Sequence, residues 1–307
     1  MRFLLLSAVL LNSALRIPNS AFCLDADGVH WGEQSTQHFD MRYRSNWMPG
    51  GLVFTLEGVH QKLEFNLGVL DPSLFAAKQK FVLYHDRDEY LKGPFKPPPW
   101  SQAIAYPDLH VLVMHEMPDA EDFKTTMAHE MTHLIFGAYF AANGRHPPHW
   151  LDEGLAQMME EQVSSSAQPD FYWRAARELL PRSSVIHSTE FLDTVPKADS
   201  DKTYVRNWYF QSYLMTRWLF LEHSKLQFKS FCEALRNGED VRYALQKVYA
   251  IPDLAHFDRA WIAYASLGKG KREQRREKKN DKGFHFKPAD FADFSRKIYE
   301  KKGTAGE

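Results

Sequence analysis

The 307-residue chain is poor in cysteine and has almost no net charge. It contains only Cys23 and Cys232, which excludes a disulfide scaffold and any zinc cluster built on cysteine. Its 38 basic and 39 acidic residues give a formal charge of −1, whereas a protein built around nucleic acid would carry a basic footprint. A hydrophobic content of 44% with 25% charged residues excludes wholesale disorder. The chain is therefore expected to bury a core of normal size without disulfides.

The apolar run at the N-terminus is short. Residues 3–11 are almost entirely apolar and follow Arg2, and residues 21–23 offer small side chains at the −3 and −1 positions of a cleavage site. Nine residues are too few for a helix to cross about 30 Å of hydrocarbon. We therefore expect residues 1–23 to be a signal peptide and the protein to be secreted or periplasmic. A buried N-terminal helix is the alternative.

Hydrophobic periodicity predicts strands in the first third of the chain and helices in the rest. Alternating or short apolar runs predict strands at 35–44, 80–85, 103–106 and 110–114. Apolar residues at helical spacing predict helices at 52–67, 123–139, 150–163, 171–180, 204–222, 226–236, 241–248 and 254–265. Asp119 is a predicted N-cap for the helix at 123–139. This order of elements favours an α+β fold.

The composition changes after residue 267. Residues 269–282 contain eight basic and three acidic residues, a net charge of +5. A solvated tail is the simpler interpretation, and weak contact with anionic lipid or another polyanion is the alternative. Four phenylalanines follow between residues 284 and 294, so residues 268–307 are expected to form a basic tail with a short aromatic segment.

The strongest motif is His-Glu-Met-Thr-His at 129–133, inside a predicted helix. His129 and His133 are one turn apart, so both imidazoles project from one face and can reach one tetrahedral Zn²⁺. Glu130 is offset by about 100° and is placed to take a proton from a metal-bound water instead of binding the metal. The alternative is two exposed histidines on a helix that binds no metal.

A second motif, Trp-Leu-Asp-Glu-Gly-Leu-Ala at 150–156, opens the next predicted helix. Glu153 follows His133 by twenty positions, which suits a helix–loop–helix that brings a carboxylate to the metal. With this motif the chain resembles the gluzincin metallopeptidases, and most closely the bacterial peptidase MA-like family. The resemblance covers roughly 80–265 and rests on HEMTHLIFG, on PHWLDEGLA, and more loosely on Tyr-Phe-Gln-Ser-Tyr at 209–213 with Trp261 and Tyr264.

The resemblance implies a zincin-like metallopeptidase domain over 24–267, with a small mixed N-terminal sheet and a helical C-terminal part. It implies one zinc per chain, held by His129, His133 and Glu153. Glu130 would be the general base and proton shuttle. Tyr209 would donate a hydrogen bond to the oxyanion, with Tyr204 and Tyr213 as rivals on the same helix.

Several residues are candidates for orienting the metal ligands or lining the cleft. Related enzymes often place an acid one turn after the ligand glutamate to orient a ligand imidazole, and this chain has Gln157 there. Glu160 and Asp152 are alternatives for that role. His146 and His149, in the loop between the two metal helices, could line the cleft. His110 and His115 bracket a strand expected to form the edge of the cleft, where an extended peptide could pair.

These features predict a secreted zinc-dependent peptidase. The chain has no Gly-x-Met-x-Asn segment of the kind that aminopeptidases use to hold a substrate amino terminus, so endopeptidase activity on peptide or protein substrates is expected. The main alternative is a zinc-bound but non-catalytic binding module of the cell envelope, favoured by Gln157 and the basic tail. A hydrolase of a non-peptide amide is a third possibility.

Overall fold

The computed structural model describes residues 31–44, 51–164, 173, 174, 176, 184–197 and 199–267. The predicted signal peptide, most of the helix predicted at 171–180, and the basic tail at 268–307 lie outside the described residues. Among the residues that are described, no helix has both the length and the apolar character needed to cross a membrane.

Five strands of the described residues form one mixed sheet. They are β1 (Gly32–Ser35), β2 (Phe39–Tyr43), β3 (Gln79–Tyr84), β4 (Ala103–Tyr106) and β5 (Val111–His115), in the spatial order β1-β2-β3-β5-β4. The three inner strands are parallel, whereas β1 and β4 run antiparallel to their neighbours. The expected small mixed sheet in the N-terminal part is therefore present.

Two strand predictions are corrected by this topology. The strand predicted at 35–44 contains β2 but starts too early, because residues 36–38 form a turn that joins β2 to the preceding strand β1, which was not predicted. The strand bracketed by His110 and His115 is not the sheet edge, because β5 pairs with β3 on one side and β4 on the other. The edge strands of the described sheet are β1 and β4, and β4 is the one that pairs with β5.

The helices of the described residues follow the predicted pattern closely, with additional short elements. They are α1 (Leu52–Leu67), α2 (Ser73–Ala76), α3 (Arg87–Lys92), α4 (Ala120–Ala141), α5 (His149–Val163), α6 (Ser188–Phe191), α7 (Lys202–Leu221), α8 (Lys225–Arg236), α9 (Val241–Tyr249) and α10 (Leu254–Leu267). A 3-10 turn at Pro107–Leu109 joins β4 to β5. Helix α5 packs against both α4 and α7, so it lies between these two helices.

Sequence explains why α1 and α4 lie where they do. The apolar positions of α1, including Leu56 and Leu63, are buried at helical spacing, as predicted. The Asp119 carboxylate accepts hydrogen bonds from the backbone amides of Glu121 and Asp122, so it caps α4 as predicted. A capped start fixes which residues of α4 face the sheet.

The main core lies between the sheet and the helices. Alternate residues of β3 divide between two apolar clusters. Phe81 and Leu83 join the main core, and Val82 and Tyr84 join a smaller cluster on the opposite face of the sheet. The metal motifs both lie on the main-core side, because most of the apolar residues of α4 and α5 belong to that cluster.

One glycine of the second motif sets the approach of α5 to α7. A Cβ atom at Gly154 would overlap the Ser212 carbonyl oxygen and the Thr216 hydroxyl. Only glycine therefore allows the two helices to come this close. The contact is next to Glu153 in sequence, so it fixes the position of the carboxylate relative to α7.

Candidate metal centre

Two imidazoles from α4 and one carboxylate from α5 converge at the centre of the helical layer. The Nε2 atoms of His129 and His133 are 3.0 Å apart. The carboxylate of Glu153 approaches both rings, with Oε2 at 3.6 Å from His129 Nε2 and Oε1 at 3.8 Å from His133 Nε2. The three candidate ligand atoms all lie within 4.8 Å of one another. The structure thus brings together the three residues that the sequence predicts as metal ligands.

The state of the Glu153 carboxylate tests whether these residues fit a metal ion. Glu153 is 0% exposed, and neither of its oxygens has a hydrogen-bond partner among the described residues. A buried carboxylate without hydrogen bonds is costly unless a cation compensates it. Tetrahedral Zn²⁺ with bonds of 2.0–2.1 Å would separate two ligand atoms by roughly 3.3 Å, close to the spacing of the two imidazoles. The donor set therefore fits zinc.

Carboxylates also hold the far nitrogens of both imidazoles. His129 Nδ1 contacts the Glu160 carboxylate, and His133 Nδ1 lies 3.0 Å from Asp152 Oδ1. Each ring thus has an acid beside its Nδ1, through a hydrogen bond at His129 and an ion-pair contact at His133, which leaves Nε2 as the metal-facing nitrogen. Gln157 is buried, and its amide atoms have no hydrogen-bond partner among the described residues. Of the residues considered for this role, Glu160 and Asp152 occupy it, and Gln157 does not.

The same carboxylates control the charge of the pair. Burial alone would lower the pKa of His133, but the nearby charges of Asp152 and Glu153 outweigh it and raise the pKa to about 9. The pKa of His129 is raised well above its usual value, because Glu160 and Glu153 outweigh its burial. The surroundings of both rings are therefore strongly negative, which favours a bound cation.

Glu130 lies beside this group without belonging to it. Its Oε2 accepts a hydrogen bond from the backbone N–H of Ala105, on the edge strand β4, at 3.1 Å. Burial raises the pKa of Glu130 to about 7, although the two neighbouring imidazoles oppose the shift. A carboxylate with such a pKa can both accept and release a proton near neutral pH.

The three candidate tyrosines of α7 have different surroundings. Burial raises the pKa of Tyr209, and the charges of Glu153 and Glu130 add to this shift. The hydroxyl of Tyr213 donates to Glu161 Oε2 at 2.9 Å and accepts from Arg217 Nη1 at 2.9 Å, so it belongs to a separate buried cluster.

Tyr204 lies in the first turn of α7, where its backbone N–H donates to the Asp201 cap. Among the three candidates, the structure associates Tyr209 with the carboxylates of the site.

The remaining candidate histidines are not brought to the metal ligands. His115 contacts Gln102 Oε1 at 2.7 Å and the Glu116 carbonyl oxygen at 2.6 Å, which accounts for both of its ring nitrogens. His110 is exposed and has a positive φ of 52° at the end of the 3-10 turn. His146 is exposed, and His149 is the first residue of α5. Within the described ranges, the candidate metal group contains none of the four.

The downstream motif at 209–213 has a structural role that the sequence did not reveal. The side chain of Gln211 accepts a hydrogen bond from the Ile186 N–H at 3.0 Å and donates to the Ile186 carbonyl at 2.7 Å. Gln211 thereby fixes the segment before α6 against α7. Ser212 provides the close contact with Gly154 described above. The Gln211 amide was the sequence signal for the first role, whereas the second uses the backbone carbonyl of residue 212 and leaves no signal in the side chain.

A mixed sheet, two packed helices and a His–His–Glu group define a metallopeptidase-type domain. A family model for the Peptidase MA superfamily matches residues 78–266, which is more than half of the chain. The chain therefore belongs to this family of peptidases, which are generally metal-dependent. The match begins at β3, ends in α10 and includes both metal motifs. No curated protein matches the chain significantly.

Proposed function

We propose that this protein is a secreted zinc-dependent endopeptidase. One observation carries the proposal. The buried Glu153 carboxylate has no hydrogen bond among the described residues, and it faces two imidazoles whose other nitrogens contact acids. A cation at the centre would compensate this buried carboxylate, and His, His and Glu are the ligands of catalytic zinc in peptidases. Glu130 beside the centre supplies the base that peptide hydrolysis needs.

Zinc bound by His129, His133 and Glu153 would supply Lewis acidity to water and to the scissile carbonyl. Glu130 takes the proton of the attacking water and delivers it to the leaving amine. Its raised pKa suits both halves of this transfer. Tyr209 donates its hydroxyl hydrogen to the oxygen on which negative charge develops.

The substrate is proposed to bind as an extended chain beside β4. This strand is one of the two edge strands of the described sheet, and it lies next to Glu130 through the Ala105 contact. An unpaired strand edge binds extended peptides through backbone hydrogen bonds. An extended peptide or protein segment is thus the substrate class that suits the site.

The metal is tested by removal and return. A chelator should abolish cleavage of denatured casein by the purified protein. Addition of one equivalent of zinc should restore the activity, because three protein ligands form a single site. If metal analysis shows that the protein contains no bound metal and it still has full activity, zinc-dependent catalysis is refuted.

The non-catalytic binding module has lost part of its support. It rested on Gln157 in a position where an acid was expected, but Glu160 contacts His129 Nδ1 in its place. Stoichiometric zinc without turnover of casein or any peptide would nevertheless favour that alternative.

Export and the basic tail complete the proposal. We expect a mature N-terminus near Leu24, which mass spectrometry of the extracellular or periplasmic protein would identify. Peptides from residues 2–20 in the mature protein would contradict secretion by a cleaved signal. Residues 269–282 are proposed to make weak contacts with anionic surfaces, which high salt should weaken.

A further inference from the structure

Gly137, the last residue of HEMTHLIFG, contacts the turn after the edge strand. A Cβ atom at this position would lie 2.6 Å from Pro107 Cγ and 2.8 Å from Pro107 Cβ. Glycine in a helix interior is less stable than alanine, so its presence within α4 requires a local reason. Here the reason is steric, because any other residue would push the 3-10 turn away from α4.

Gly137 and Glu130 lie on the same face of α4. They are seven residues apart, which is almost two helical turns. The residues that they contact are also close in sequence. Glu130 accepts a hydrogen bond from the Ala105 N–H, and Gly137 contacts Pro107, two residues after Ala105. The segment 105–107 therefore contacts α4 at two points.

The Ala105 N–H is used outside the strand ladder. β4 pairs with β5 on one side and is the last strand of the described sheet on the other. The N–H donates across that outer edge to Glu130 Oε2. The distance between β4 and α4 consequently determines whether this hydrogen bond forms.

We propose that Gly137 is a positioning residue for Glu130, acting through Pro107 and the backbone amide of Ala105. The missing side chain lets the 3-10 turn sit against α4, and this holds the Ala105 N–H within reach of the carboxylate. The hydrogen bond fixes the carboxylate beside the metal ligands. The catalytic consequence rests on the proposed function of Glu130, whereas the mechanical link does not.

The mechanical link is tested without any activity measurement. Hydrogen exchange of the Ala105 amide is measured by NMR in the full chain. Gly137→Ala should accelerate this exchange at least tenfold, because the amide loses its acceptor at an otherwise open edge. Gly58→Ala is the matched control, since a Cβ at that helical glycine of α1 would meet nothing within 4 Å. Unchanged Ala105 exchange in Gly137→Ala would overturn the proposal.

A double variant, Gly137→Ala with Pro107→Gly, is the control for a substitution that only damages the fold. Pro107→Gly removes both ring carbons that the new Cβ would meet. Alone, it should also accelerate Ala105 exchange, because the turn loses its contact with α4. Combined with Gly137→Ala, it should restore slow exchange, since the added methyl fills the space. A double variant that exchanges as fast as Gly137→Ala would show that this contact does not act on the amide.

Kinetics then test the catalytic consequence. Gly137→Ala should lower kcat at least tenfold with KM and zinc content unchanged, and the double variant should recover most of the loss. An increase in KM that accounts for the whole loss would contradict a role in positioning Glu130. If the wild-type protein binds zinc but cleaves nothing, the proposed function fails, and the exchange rates alone decide the mechanical link.

Discussion

Two close histidine pairs among the described residues differ in how their rings meet. His129 and His133 lie edge to face, with ring centroids 4.7 Å apart and planes at 75°. His38 and His60 are stacked, with centroids 4.0 Å apart and planes at 14°. Each pair has a carboxylate neighbour. Glu57 Oε2 lies 2.6 Å from His38 Nδ1, whereas Glu153 faces both rings of the first pair.

The difference shows that a pair of histidines becomes a candidate metal site only when its nitrogens converge. In the stacked pair, Glu57 bonds to the ring and backbone N–H of His38, so its charge is satisfied locally. In the edge-to-face pair, two Nε2 atoms meet beside a carboxylate that lacks hydrogen bonds among the described residues. Burial and the charge of His38 lower the pKa of His60, whereas carboxylates raise the pKa of His133.

The largest effect should come from removing both rings of the convergent pair, His129 and His133. Replacing both His129 and His133 by alanine should reduce bound zinc from about one per chain to none and eliminate turnover, because one carboxylate cannot hold the ion. Metal analysis of the purified protein measures the loss.

His60→Phe in the stacked pair is the control. It keeps an aromatic ring and should leave zinc content unchanged. Stoichiometric zinc in the double alanine variant would show that the ligands were assigned to the wrong pair.

The next effect compares Glu130, which lies beside the convergent pair without being a ligand, with Glu57 beside the stacked pair. Glu130→Gln retains the size of the side chain but cannot accept the proton, so we expect turnover to fall by about 10⁴-fold with zinc retained. Glu57→Gln makes the same chemical change beside His38 and should leave turnover unaltered. Loss of zinc in Glu130→Gln would mean that Glu130 is a ligand or a support for the ligands.

The convergent site was largely predictable because its signal is local. The spacing of His129 and His133 is a property of one helix, and the element pattern was sufficient to predict α1, α4 and α5. Glu153 required a second motif whose position relative to the first came from the resemblance. The identity of the edge strand could not be predicted, because it depends on which strands pair across the sheet.

The supports of the ligands were harder to predict for a physical reason. Gln157 and Glu160 both lie on α5, and sequence spacing alone does not decide which of them reaches His129. That choice depends on how α4 and α5 cross. The close approach of α5 to α7 at Gly154 contributes to this geometry. The presence of a glycine in the motif does not indicate which residues of another helix it contacts.

The tyrosines of α7 extend the comparison to hydroxyl groups. The charges of Glu153 and Glu130 contribute to the raised pKa of Tyr209, whereas Tyr213 bonds to Glu161 and Arg217 in a separate buried cluster. Tyr209→Phe should lower kcat by roughly 100–1000-fold with KM nearly unchanged, since it removes one donor to the developing oxyanion. Steady-state kinetics on a peptide substrate measure both constants.

Tyr213→Phe is the matched control in the same helix. It should cost about 1–3 kcal/mol in the free energy of unfolding, because charged groups lose a hydrogen-bond partner, and it should retain turnover. Full activity in Tyr209→Phe together with reduced turnover in Tyr213→Phe would reverse the assignment of the oxyanion donor.

The smallest effect concerns the pH dependence of stability at the stacked pair. The pKa of His60 is lowered from its usual 6.5, so the unfolded chain takes up a proton below that pH before the folded protein does. The free energy of unfolding should therefore fall as the pH drops below 6.5. One proton contributes at most about 1.4 kcal/mol per pH unit. Denaturation of the metal-free protein at pH 7, 6 and 5 measures the slope.

His60→Phe should reduce that slope by about 1 kcal/mol per pH unit, because the group that resists protonation is gone. Groups of the metal centre titrate in both proteins, so their contributions cancel in the difference between the two slopes. The pKa of Glu57 is lowered from 4.5, since its hydrogen bonds with Thr36 and His38 outweigh burial, and its stabilising contribution is lost only at lower pH. Glu57→Gln should therefore keep the wild-type slope between pH 7 and 5. Equal slopes in the wild type and His60→Phe would show that His60 is not held neutral by its burial.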